Sequence, residues 1–367
     1  MMEPPQPTPS DDEDSPTLPR SKWRNAATIA AVATITQVIL AAAAAWYLLN
    51  QLAPLLQPLL VAVFLAYLLM PYHARLSRHI GRPASLIVLA SLSGTVLLIL
   101  ALAIYASILG LSDELPTLQE RVNELNRQAD QFLAQTTPWW RGADGQPASL
   151  KLGAEMTQLT KPLLNLAVDT VIEACAVALY LLFLLLEGSR FPDRVRQAYS
   201  PARAAEILDI AEQISTTVFN YLKAKTKASL ILAVPVGLIL WAVGVRFALL
   251  WAVLTFLCNF IPYIGSVVAY LLPASFAFVW YGPQWEAVVA SLLLLGCHLT
   301  SAILIEPFIL SNAMGLSPLV ILASLAFWGL LWGLPGMFLA IPLTVVTVIV
   351  LDHFQSTRPA ARLLSGR

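Results

Sequence analysis

Charge is scarce in this 367-residue chain. Asp, Glu, Lys and Arg make up 12% of it, and the two signs cancel, 22 against 22. Without a basic excess there is no electrostatic footprint for nucleic acid, so none is expected as a partner. Cysteine is nearly absent. Cys175, Cys258 and Cys297 lie far apart inside apolar runs, with no Cys-x-x-Cys pair. They read as small hydrophobes, giving neither a disulfide framework nor a metal site. No Gly-x-x-x-x-Gly-Lys-Ser/Thr run is found, so ATP drive within the chain is not expected. Nor is there a His/Cys/Asp metal cluster, a Gly-x-Ser-x-Gly elbow or a placed Ser/His/Asp set. The reading is a non-enzyme without cofactor. From Phe247 to Thr357 there is no Lys or Arg. What fills the chain is apolar, 58% of its residues. That composition points to an all-α polytopic membrane protein.

Residues 1–21 are rich in Pro, Ser and acid and read as a disordered tail, with an uncleaved first span behind it. Residues 22–111 hold spans one to three. The basic stretch 71–83 between the second and third, with Arg75, Arg78 and Arg82, reads as a cytoplasmic loop. Residues 112–160 are polar and read as an extracytoplasmic helical segment. Leu115, Leu118, Val122, Leu125, Ala129 and Phe132 form a coiled-coil-like seam there, to be covered by a neighbouring segment, another subunit or the membrane surface. Trp139-Trp140 is a candidate interfacial anchor. Span four occupies 161–187, and residues 188–227 form a basic amphipathic connector, read as cytoplasmic. Its Lys223, Lys225 and Lys227 read as marks of orientation facing lipid headgroups. Residues 228–352 carry spans five to eight, and 353–367 a cytoplasmic tail. The total is about eight spans, with both termini inside, if every long apolar run crosses once.

Two of the long apolar runs are broken in the middle, at Asn259-Phe260-Ile261-Pro262-Tyr263-Ile264-Gly265 and at Gly333-Leu334-Pro335-Gly336. Each run is about 35 residues, or about 50 Å as one helix, against a hydrocarbon core of about 30 Å. Each is therefore a hairpin, a re-entrant pair or a broken, tilted helix. An interrupted backbone survives at membrane depth only where protein or a watery cavity satisfies it, and paired Gly/Pro interruptions point to a transport site. A packing kink is the other reading. Candidate transport-site residues are Asn259, Pro262, Gly265, Pro335 and Gly336 at the breaks. The carbonyls freed near Leu257 and Cys258 need partners, which Asn259 or a cargo can supply. His298, Glu306 and Pro307 join them. Glu306 lies between an apolar span and a helix-breaking Pro, with no basic residue in the same block. It is expected to be an unpaired carboxylate pushed out of helical geometry by Pro307. Asp169 and Glu173, with Asn165, share a face of span four and are further candidates, unless they only continue the polar face of the outer segment. Gly329-x-x-x-Gly333 reads as a packing motif.

The stretch from Asn259 to Gly265 resembles a signature of the autoinducer-2 exporter family, the PerM-like permeases. So do Glu306-Pro307-Phe308-Ile309-Leu310, the run Gly315-Leu316-Ser317-Pro318-Leu319-Val320, and the tail from Phe327 to Thr344. The resemblance is specific over residues 220–352 and rests on layout upstream. Members often carry Gly-Arg before the Gly-Leu-Ser-Pro run; this chain has Ser311-Asn312, so no role for that Arg carries over. The resemblance implies a multi-pass protein of the bacterial inner membrane that exports a small polar metabolite or signalling molecule. A sodium/proton antiporter or an oligomeric channel is the alternative. It also implies membrane lipids as neighbours and a homo-oligomer, plausibly a pentamer.

Overall fold

The computed structural model describes residues 20–136, 156–188, 190–310 and 316–365. Most of the 1–21 tail, Trp139-Trp140, Ser311-Asn312 and Gly315 lie outside them. Among the described residues the chain is all-α, and eight helices are long and apolar enough to cross a membrane. It divides into two compact units, residues 1–52 and 53–367. The first holds α1 (Arg20–Gln51), which takes up the last two positions assigned to the tail.

The second unit begins with α2 (Ala53–Ile80) and α3 (Arg82–Thr136). The basic stretch 71–83 is therefore mostly helical, and the outer segment continues span three in the same helix as far as Thr136. A short 3-10 turn leads into α4 (Thr160–Gly188), which packs on α2 and α3 around Ala62, Leu86, Val177 and Leu181. After α5 (Phe191–Ala198) comes α6 (Pro201–Val243), which fuses the amphipathic connector and span five. Ser200 and Pro201 stand at its N-cap and first position, and Gly244 closes it in the left-handed conformation at φ 82°. Apolar side chains dominate the outward surface, Phe183, Trp241 and Leu330 among them, as a lipid-facing surface requires.

Half of the outer seam is covered by the chain itself. Leu115, Leu118 and Val122 are buried, whereas Ala129 is exposed. Leu118 joins a cluster with Leu232, Val236 and Leu240 of α6. Arg246, after α6, pairs with Glu114 of α3. Arg121 and Arg246 lie 4.9 and 5.0 Å from the Trp280 ring.

Both broken runs double back. The first is α7 (Ala248–Cys258), a turn, and α8 (Ile264–Tyr281). Trp251 and Phe276, on opposite arms, have ring centroids 5.1 Å apart, and Tyr281 donates to the Val243 carbonyl at 3.0 Å. The run thus starts and finishes at the Val243 end of α6. Then α9 (Trp285–Thr300), a π turn (Ser301–Ile305) and α10 (Glu306–Leu310) descend antiparallel to α6. The second broken run is α11 (Pro318–His353), bent at Gly333. Trp328 Nε1 lies 3.3 Å from Thr344 Oγ1, although they are sixteen residues apart. A straight helix would hold them about 24 Å apart. His353 at its end bonds Glu206 near the start of α6, at 2.7 Å. Leu316 before it bridges to Ser365, just beyond α12 (Arg358–Leu364). The second hairpin therefore enters from the Glu206 end. The two enter from opposite ends of α6 and meet at their tips, where the Phe260 and Phe338 rings lie 4.7 Å apart.

Candidate functional site

The meeting of the tips defines the site. At the first tip, Pro262 cannot continue the α7 ladder, and Tyr263 reverses the chain at φ 62°. The carbonyls of Leu257 and Cys258, expected to need an outside partner, are satisfied within the turn. They accept from the amides of Phe260 and Ile261 at 3.1 and 2.9 Å. Gly265 lets the arms close: a methyl there would overlap the Cys258 carbonyl oxygen. The second tip repeats the device. Gly333 turns at φ 65°, ψ −142°, and a methyl on buried Gly336 would overlap the Trp328 carbonyl oxygen. Gly333 is a turn residue and not half of a helix-packing pair, since a methyl there would meet nothing. Gln57 of α2 reaches toward the Trp332 carbonyl, at 3.5 Å. Pro335 is exposed and Pro262 half-buried, so the prolines shape the tips from outside while Gly265 and Gly336 face in.

Helix α6 supplies the wall. Tyr221, Lys225 and Ser229 recur every four residues and lie on one buried face, continuing the line of Leu232, Val236 and Leu240. Asn259, 1% exposed, donates through Nδ2 to Ser229 Oγ at 3.0 Å. Lys225 is the residue that sequence reasoning misplaced. Its neighbours Lys223 and Lys227 are exposed, as a headgroup-facing cluster should be, but the Lys225 side chain is only 4% exposed. Its Nζ lies 2.6 Å from Glu306 Oε1. Glu306 is therefore not the unpaired carboxylate expected. Its partner lies 81 positions upstream, outside the block that lacks basic residues. The spacing of buried Tyr221, Lys225 and Ser229 was the available signal.

Nor does Pro307 push Glu306 out of the helix, for Glu306 keeps φ −62°, ψ −49°. The adjustment comes one turn earlier. The Glu306 amide bonds back five residues to Ser301, and the widened π turn makes room for the proline ring. Pro307 itself is exposed. His298, on α9, is buried, with Nδ1 2.9 Å from the Leu294 carbonyl and its ring 5.8 Å from that of Tyr270. Asp169 and Glu173 are exposed on α4, a helix that packs on α2 and α3, and they do not join this group.

Several buried polar atoms on these walls have no protein partner: Tyr221 OH, Thr255 Oγ1, Asn259 Oδ1, His298 Nε2 and Ser301 Oγ. Native interiors seldom leave such groups unsatisfied; they mark places for water or a ligand. Tyr221 is on α6, Thr255 on α7, Asn259 at the first tip, His298 on α9 and Ser301 in the π turn.

The AI-2E transporter family profile matches residues 35–356. The AI-2 transport protein TqsA of Escherichia coli is 32% identical over 317 residues, 85% of this chain and 90% of its own length. A Mycobacterium tuberculosis protein provisionally named as a transport protein is 31% identical over 83% of this chain and 84% of its own length. The permease PerM of Escherichia coli, so named provisionally, is 26% identical over 81% of this chain and 86% of its own. Eight membrane-length apolar helices among the described residues and a match over most of the chain agree, and the chain belongs to the AI-2E transporter family.

Proposed function

We propose that this member of a transport family exports a small polar metabolite or signalling molecule across the bacterial inner membrane, as a homo-oligomer. The observation that carries the reading is the pair of opposed hairpin tips beside unpartnered buried hydroxyl, amide and imidazole groups. Interrupted helices meeting at mid-depth are the usual frame of a transporter's binding site. A hydroxyl-bearing cargo fits donors and acceptors of this kind. The AI-2 named for the Escherichia coli relative marks the class to test first.

The basic stretches 71–83 and 188–227 favour the Glu206 end of α6 as the cytoplasmic one, with both termini inside. Asn259 and Gly265 would line the path, and His298 and Glu306 would orient cargo from α9 and α10. Proteoliposomes loaded with cargo test the reading. Efflux above that of empty vesicles, lowered about tenfold in Asn259→Ala, is expected; equal efflux from protein-free vesicles would remove it. An impermeant thiol reagent applied to intact cells should spare a cysteine at Arg78, and labelling there would reverse the orientation.

A further inference from the structure

We propose that Lys225 and Glu306 form a charge-cancelling specificity device, which makes the site accept uncharged, hydroxyl-bearing solutes and discriminate against ions of both signs. The inference rests on the transport reading above and concerns the same site.

The ammonium of Lys225 is almost fully enclosed, and the Glu306 carboxylate, 27% exposed, meets it at 2.6 Å. Two opposite charges in contact leave little net field a few ångströms away. The other polar groups on these walls are Tyr221, Ser229, Thr255, Asn259, His298 and Ser301. Tyr221 and His298 are the remaining titratable groups among them. The buried lining thus offers hydrogen bonds and dipoles and carries one compensated pair. An ion entering such a place loses its hydration and gains no counter-charge, whereas a polyol exchanges water hydrogen bonds for those of the unpartnered atoms. A solitary glutamate would have favoured cations.

Removing either partner should expose the charge of the other. One uncompensated charge at about 10 Å, in an interior of effective dielectric constant about 20, changes ion preference roughly tenfold. The test uses full-length protein in proteoliposomes and three polyols of similar size: neutral sorbitol, cationic N-methylglucamine and anionic gluconate. The wild-type protein is expected to move sorbitol in preference to both ions. Lys225→Gln should shift the cation-to-sorbitol ratio upward roughly tenfold, and Glu306→Gln the anion-to-sorbitol ratio by a similar factor. The double variant Lys225→Gln/Glu306→Gln should return to neutral preference.

Rescue by the double variant is what a merely structural pair would not give in selectivity. Asn259→Asp, isosteric and outside the pair, keeps the test open if a single variant fails to fold. It adds one uncompensated negative charge and should move the ratio as Lys225→Gln does. Unchanged selectivity in the variants that fold, with sorbitol still moving, would overturn the pair's role while leaving the transport reading intact. No movement of any probe by the wild-type protein would overturn the transport reading, and the selectivity role with it.

Discussion

The two hairpins are built alike at the backbone and differently in their side chains. Each reverses through a residue with positive φ, Tyr263 in one and Gly333 in the other, and each closes on a buried glycine facing a carbonyl. The first tip ends in Asn259, tied to Ser229 and keeping an acceptor without a partner. The second tip is apolar, and its polar cross-link, Trp328 to Thr344, ties its own two arms. Shared backbone chemistry thus explains why both tips exist, and the difference in side chains leaves the unpartnered Asn259 acceptor on the first, the tip that would address cargo under the transport reading proposed above. The second is a wall against which the first is held.

The largest expected effect would break the likeness. Gly265→Ala and Gly336→Ala each drive a methyl into a backbone carbonyl, which has no flexible side chain to move aside. Both should cost about 4 kcal/mol or more, seen as loss of folded protein in detergent by thermal melting. If either is tolerated, that tip does not close as described.

Next in size is the pair that backs the first tip. Lys225→Met should destabilise by about 3–5 kcal/mol, because it leaves a carboxylate in a poorly hydrated place without its counter-ion. Lys225→Met/Glu306→Gln should recover much of that loss, and strict additivity of the two changes would show that they do not interact.

The third prediction sharpens the comparison itself. Asn259→Ala removes one buried hydrogen bond and Thr344→Ala two, from Trp328 and to the Ala340 carbonyl, and they should lower stability by about 1 and about 1–2 kcal/mol. Cargo flux should separate them, falling about tenfold for Asn259→Ala through loss of a cargo contact and hardly at all for Thr344→Ala. Equal losses would make both tips binding elements.

The smallest effect belongs to α4. Asp169→Asn with Glu173→Gln alters exposed side chains remote from the tips and should stay within about 0.5 kcal/mol in stability, with flux unchanged. A clear loss of flux would bring α4 into the path.

Where the chain could be read from residues alone, local chemistry was enough. Runs of apolar residues gave the membrane helices, and Pro262, Gly265 and Gly333-Leu334-Pro335-Gly336 gave both breaks. Whether those runs crossed or doubled back stayed open, because a proline or glycine permits a bend without setting its angle. The angle comes from packing: Trp251 on Phe276, Trp328 against Thr344. The Glu306 partner was missed for a related reason. A search confined to the block without basic residues could not see Lys225, which antiparallel packing of α6 on α9 and α10 brings across. Positive-inside reasoning had already placed that lysine among headgroups by counting it with Lys223 and Lys227. A helix turns each successive residue through about 100°, so three neighbouring lysines need not share a fate.

The same rotation gives the widened turn at Ser301–Ile305 a further meaning. It amounts to an ordinary helix carrying one residue too many, with the surplus stored as a bulge. Were the bulge to relax into an ordinary ladder with no residue removed, all that follows would swing through about 100°. Glu306 would then turn away from Lys225 and Ile305 would take its bearing. Deleting one residue between Ala302 and Leu304 would instead take out the surplus and leave Glu306 facing Lys225. The bulge acts as an angular setting: the charge balance of the site depends on a count of residues as much as on their identity.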